Sequence, residues 1–161
     1  MKKIFVAMLL LGVLCASLKA ADGFGWGVWY DVPDYVSSQK VEGITLGVPV
    51  MANDYTHGVA LALCGNNTQR MDGFQGALFG FNFARSLEGV QLGFANIHHG
   101  QHGEFAVQVG GFNLSSENGV QVGFFNQSKN NATFQLGLIN INKNGWLPIM
   151  IFVNFSRELF D

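Results

Sequence analysis

The chain has 161 residues, a formal net charge of −2 and only 12% charged residues, with 21 glycines and 15 phenylalanines among them. Ordinary soluble domains carry about 25% charge, so this composition points to an outside that meets lipid or to an extended β structure with polar amide ladders. A mild acidity without basic clusters excludes a nucleic-acid-binding surface and strong adhesion to anionic lipid.

Lys2 and Lys3 open the sequence, an apolar run follows from Ile4 to Leu14, and small residues close it around Ala16 and Ala20. That order is a secretory signal, too short to span a bilayer, and cleavage is expected near Ala20. Residues 1–20 are therefore read as leader and 21–161 as a single repeat-built domain. Leu14 is bulky where a lipid-anchored Cys15 would need Gly or Ala before it. The exported part keeps one cysteine, Cys64, so no intrachain disulfide holds it together, and its net charge is −5 once Lys2, Lys3 and Lys19 are gone. Near its start, Trp26, Trp29, Tyr30 and Tyr35 suggest an interfacial aromatic girdle rather than a sugar-stacking platform.

The rest of the chain repeats. Weak copies at Ile44–Val50, Val59–Gly65 and Phe74–Gly80 lead to four strong ones: VQLGFAN (Val90–Asn96), VQVGGFN (Val107–Asn113), VQVGFFN (Val120–Asn126) and FQLGLIN (Phe134–Asn140). A degenerate copy, LPIMIFV, ends the series at Leu147–Val153. The marker position runs Thr45, Ala60, Gln75, Gln91, Gln108, Gln121, Gln135 and Pro148, at spacings of 15, 15, 16, 17, 13, 14 and 13. Within each copy apolar and small or polar residues alternate, the period of a strand and not of a helix. The residues defining the repeat are Gln91, Gly93, Asn96, Gln108, Gly110, Asn113, Gln121, Gly123, Asn126, Gln135, Gly137 and Asn140.

Such units build either an up-and-down antiparallel barrel or a β-solenoid with Gln stacked on Gln. The stretches between copies, LSSEN (Leu114–Asn118) and QSKNN (Gln127–Asn131), hold almost nothing to bury on a returning side. The expectation is thus an all-β, eight-stranded barrel, with the solenoid as the alternative. In the barrel, Gln and Gly line a filled bore and Val, Leu and Phe face outward to lipid, as in an outer-membrane protein. A soluble barrel with the faces exchanged is the competing arrangement.

These repeats resemble the leptospiral-type surface-repeat proteins, exported bacterial proteins of tandem Gly-Leu-Gln-x-Gly-Leu-x-Asn units. The likeness runs from Trp26 to Phe155 and includes the ending NGWLPIMIFVNFS (Asn144–Ser156), with Pro148 and Asn154 in the family's places and Ile151 where a second proline often stands. The resemblance implies a surface or envelope location and no activity, ligand or cofactor.

Chemistry is sparse. IHHGQHGE holds His98, His99 and His102 ahead of Glu104, which could wrap a cation such as zinc if the loop closed, though a solvated turn explains it as simply. No metal, cofactor or catalytic residue is assigned, and no hydrolase or phosphate-loop pattern is present. Asn66, Asn113, Asn126, Asn131 and Asn154 each begin Asn-x-Ser/Thr, read here as asparagines in positive-φ turns. The functional expectation is a structural or interaction protein of the bacterial envelope, its partner in the outer membrane or another envelope component and not nucleic acid. A small channel or ligand-carrying barrel is the alternative, and a secreted soluble solenoid a third.

Overall fold

The computed structural model describes residues 23–27, 40–100, 104–129 and 132–159; the leader, Trp29, Tyr30, Tyr35 and His102 lie outside them. Almost all of the described chain is strand: β1 (Phe24–Gly27), β2 (Lys40–Gly47), β3 (Val50–Ala62), β4 (Gly65–Ala77), β5 (Phe81–Leu92), β6 (Ala95–His98), β7 (Phe105–Ser115), β8 (Asn118–Ser128), β9 (Phe134–Asn142) and β10 (Ile149–Phe155), then a short 3₁₀ turn at Arg157–Leu159. They form one sheet in chain order, wound as a β-solenoid of about 7 turns. The fold is all-β as expected, but it is not a barrel.

Every pairing from β1 to β9 is parallel and in repeat register, so that Gln75, Gln91, Gln108, Gln121 and Gln135 stand one above another. The short linking stretches argued against a coil only because the return side was sought there. It lies instead inside the repeat: β3, β4, β5, β7 and β8 are 11 to 13 residues long and carry the chain round corners. The second side begins at the repeat's own asparagine, and the interior is so thin that one amide bridges it. Gln108 Nε2 donates to Leu114 O at 3.1 Å and Gln121 Nε2 to Gln127 O at 3.2 Å, each six residues on in the same coil.

The amides also bond between coils. Gln91 donates to Gln75 at 2.8 Å, Gln108 to Gln91 at 2.9 Å and Gln121 to Gln108 at 2.8 Å, each toward the preceding coil. On the facing side Asn82 donates to Asn96 and Asn96 to Asn113, both at 2.9 Å, and Asn113 to Asn126 at 2.8 Å, each toward the following coil. The two ladders run in opposite senses, so their amide dipoles oppose instead of adding. Buried amides are tolerated because they are paired; an unpaired one costs about 1–3 kcal/mol. Asn66, Asn113, Asn126 and Asn154 therefore sit in the interior and not in positive-φ turns, while Asn131 lies outside the described residues; Phe152 is the one non-glycine with positive φ among the described residues.

Toward the N-terminal end the interior holds fewer amides, the Gln column continuing back as Ala60 and Thr45. Val41, Thr56, Met71 and Leu87 stack in register and are buried, and Met51 occupies the column that Asn66 and Asn82 continue. Trp26 is only 7% exposed in β1, which removes it from any aromatic girdle.

The last copy breaks the pattern. β10 runs antiparallel to β9, with Asn154 opposite Gln135, so Pro148 does not take the Gln position. The six residues between the two strands return the chain as a hairpin. β10 thus closes the growing edge of the stack, where an open parallel edge would invite further pairing.

Candidate functional site

Because the interior columns hold Gln, Gly and Asn, the residues that alternate with them point outward, and these are large and apolar. One ridge follows the register Leu46, Leu61, Gly76, Leu92, Val109, Val122 and Leu136. A second stands two residues further along each coil and includes Val48, Leu63, Leu78, Phe94, Phe124 and Leu138. Phe94 is 63% exposed and Phe124 67%, which core phenylalanines never are. The single break in the first ridge, at Gly76, is filled by the ring of Phe74, 2.9 Å from where a Cβ would stand.

Between the ridges the chain turns its corner over small residues whose side-chain direction is inward. Gly47, Ala62 and Ala77 stack here, and Gly93, Gly110, Gly123 and Gly137 continue the column. The barrel reading put the last four in a bore; they lie instead where the backbone of one coil meets the carbonyl and the asparagine amide of the coil before. A Cβ on Gly123 would stand 2.6 Å from Asn113 Nδ2 and closer still to Gly110 O. The resulting furrow has two stretches, about 610 Å³ and about 510 Å³, which share Val109 and Gly110. At ~4.8 Å per coil it runs roughly 30 Å along the stack. Backbone groups at the edge are paired from coil to coil: Leu78 N donates to Ala62 O at 3.0 Å, Phe79 N to Leu63 O at 2.9 Å and Phe112 N to Phe94 O at 2.9 Å.

The opposite corner uses a second glycine column, which the repeat pattern did not single out. Gly43, Gly58, Gly73 and Gly89 are in register, and Gly73 adopts φ +134°, a conformation that L side chains rarely take. The signal was present as Gly two residues before most marker positions, but in the four strong copies the place is Gly89, Ala106, Gly119 and Thr133, and Ala106 and Thr133 break it. Charged side chains gather on this half of the coil, with Glu42, His57, Asp72 and Glu88 forming one column.

The histidine segment divides in the same way. His98 ends β6 inside the coil, 1% exposed, in the interior column that runs from Ala84 to Ser115. Its Nε2 donates to Glu104 at 3.0 Å and its Nδ1 lies 3.3 Å from Ser115 Oγ, while Gly100 covers the ring closely enough that a Cβ there would meet it at 2.5 Å. Burial holds the imidazole below its ordinary pKa against the opposing pull of Glu104. Ser115, His98 and Glu104 thus share a hydrogen-bonded chain in which the serine and the histidine are buried. His99 points the other way, with its ring 5.4 Å from Phe83, so His98 and His99 do not converge on one cation. Among the described residues no three potential ligands gather for a metal.

The chain was compared with protein-family models, with curated proteins and with solved structures, and none matches it.

Proposed function

We propose that the protein is an exported binding scaffold of the bacterial envelope, whose solenoid keeps a rigid frame while its apolar furrow does the binding. One observation carries this reading: the interior is filled by amides and apolar side chains, so recognition falls to the outer surface, where the distinctive feature is two ridges of exposed Leu, Val and Phe. Contiguous exposed apolar surface of this kind is rare on soluble monomers and marks interaction sites. The leader-like first 20 residues and the resemblance to surface-repeat proteins support the location. A channel or carrier use of the interior is disfavoured, since Gln108 and Gln121 span the space such a bore would need.

Fractionation tests the proposal. The processed chain is expected with the envelope, and its recovery from the cytoplasm, or as a freely soluble periplasmic monomer, refutes it.

A further inference from the structure

Resting on that reading, we propose that the occupant of the furrow edge is a phospholipid layer, into whose acyl region the corner bearing Leu78, Phe79, Phe94 and Phe124 inserts while the charged corner stays in water. The first ground is the partition of charge. From Leu46 to Asn53, Leu61 to Asn67, Gly76 to Asn82, Leu92 to Ile97, Val109 to Leu114, Val122 to Gln127 and Leu136 to Asn142, no Asp, Glu, Lys, Arg or His occurs. The charges of these coils stand on the other half, among them Glu42, Arg70, Asp72 and Glu88.

The second ground is the backbone. Hydrocarbon admits a chain only where its N–H and C=O groups are already bonded, and a solenoid corner meets that condition because its bonds run from coil to coil. The third is the poverty of polar groups. Interfaces between folded proteins carry about one hydrogen bond per 100–200 Å², which these ridges are not equipped to supply. A second copy offers equally apolar ridges, but two convex corners meet along a line, whereas fluid acyl chains close around one. Binding of this kind lies in the interface plane and does not span the bilayer.

The experiment is flotation of the secreted, processed chain with vesicles of phosphatidylcholine alone, which offer no net charge. Wild type is expected to float with the vesicles at low and high salt alike. Leu78, Phe79 and Phe124 are 67%, 77% and 67% exposed, so changing all three to Glu leaves the interior ladders in place. Each lost apolar side chain reduces partitioning about tenfold, and the triple variant is expected to fall by at least about 100-fold. Glu42→Lys with Glu88→Lys, on the far corner, should bind like wild type. A polarity-sensitive dye on exposed Cys64, beside Leu63 at this edge, gives a second readout in the otherwise unaltered chain and should shift to the blue on adding vesicles.

Failure of wild type to float, flotation undiminished in a folded triple variant, or flotation confined to anionic vesicles and abolished by salt would each overturn the inference. So would a stable dimer that the triple variant dissolves while wild type ignores lipid. An envelope-located chain that ignores phosphatidylcholine removes the lipid inference alone, whereas a lipid-binding chain recovered from the cytoplasm removes the envelope reading.

Discussion

Replacing Gly123 with alanine adds one methyl group at a place where two groups of the preceding coil already crowd the backbone. The new Cβ would stand 2.6 Å from Asn113 Nδ2 and inside contact distance of Gly110 O, both belonging to the preceding coil. Neither neighbour yields freely. Gly110 O is backbone in a continuous parallel ladder, and Asn113 Nδ2 already donates to Val122 O at 2.9 Å and Asn126 Oδ1 at 2.8 Å. Forcing a methyl into a packed interior costs about 1–3 kcal/mol, and displacing a buried amide from its acceptors costs about 1–3 kcal/mol more. The sum, roughly 2–6 kcal/mol, is a large part of the 5–15 kcal/mol that holds a typical domain folded. Val122→Leu is the matched control: its side chain lines the outer furrow, and the added carbon should change stability by less than about 0.5 kcal/mol. Urea unfolding of both variants followed by far-ultraviolet circular dichroism measures the difference. Equal midpoints, or a milder effect from the glycine change, would refute the corner packing described above.

Gln108→Leu should cost about 2–4 kcal/mol in the same assay, because it strands Gln91 Oε1, Leu114 O and a Gln121 donor together, whereas Gln135→Leu at the end of the ladder strands Gln121 Oε1 and Ile141 O but no donor, and should cost less. His98 is held neutral by burial, so its folded-state pKa lies below the unfolded value and the unfolded chain takes up the proton first. Stability from this site is therefore fully present above about pH 6.5 and lost as the pH falls through the folded-state pKa; melting temperatures between pH 7.5 and 5 should drop in wild type and drop less in His98→Asn. Removing residues 146–161 takes away β10 and bares the edge of β9, and light scattering should then report concentration-dependent self-association absent from the whole chain.

Much of this architecture was written into the order of residues. Alternation around Gln91, Gln108, Gln121 and Gln135 demanded strands, and their common spacing demanded that equivalent positions play equivalent roles. The division into a Gln/Gly/Asn face and a Val/Leu/Phe face also followed, because period two sends neighbours to opposite sides. What periodicity could not supply was the direction of pairing. An alternating strand fits a parallel or an antiparallel neighbour equally well, and the decision depends on where the chain turns. The corner at Gly93–Asn96 and its counterparts bends the strand within the repeat, and nothing in a two-residue pattern distinguishes a bent strand from a straight one. His98 shows the same limit: beside His99 and a glycine it reads as loop, yet its register with Ala84 and Ser115 draws it into the interior. The final copy, similar in composition to its predecessors, reverses direction and pairs antiparallel with β9, which its composition does not announce. The sequence by itself determined the repeat and its division into two faces; tertiary structure decided which face lies inside and that the coils stack in parallel, since hydrogen bonds between coils join residues 13 to 17 positions apart and become visible only when the coils are laid on one another.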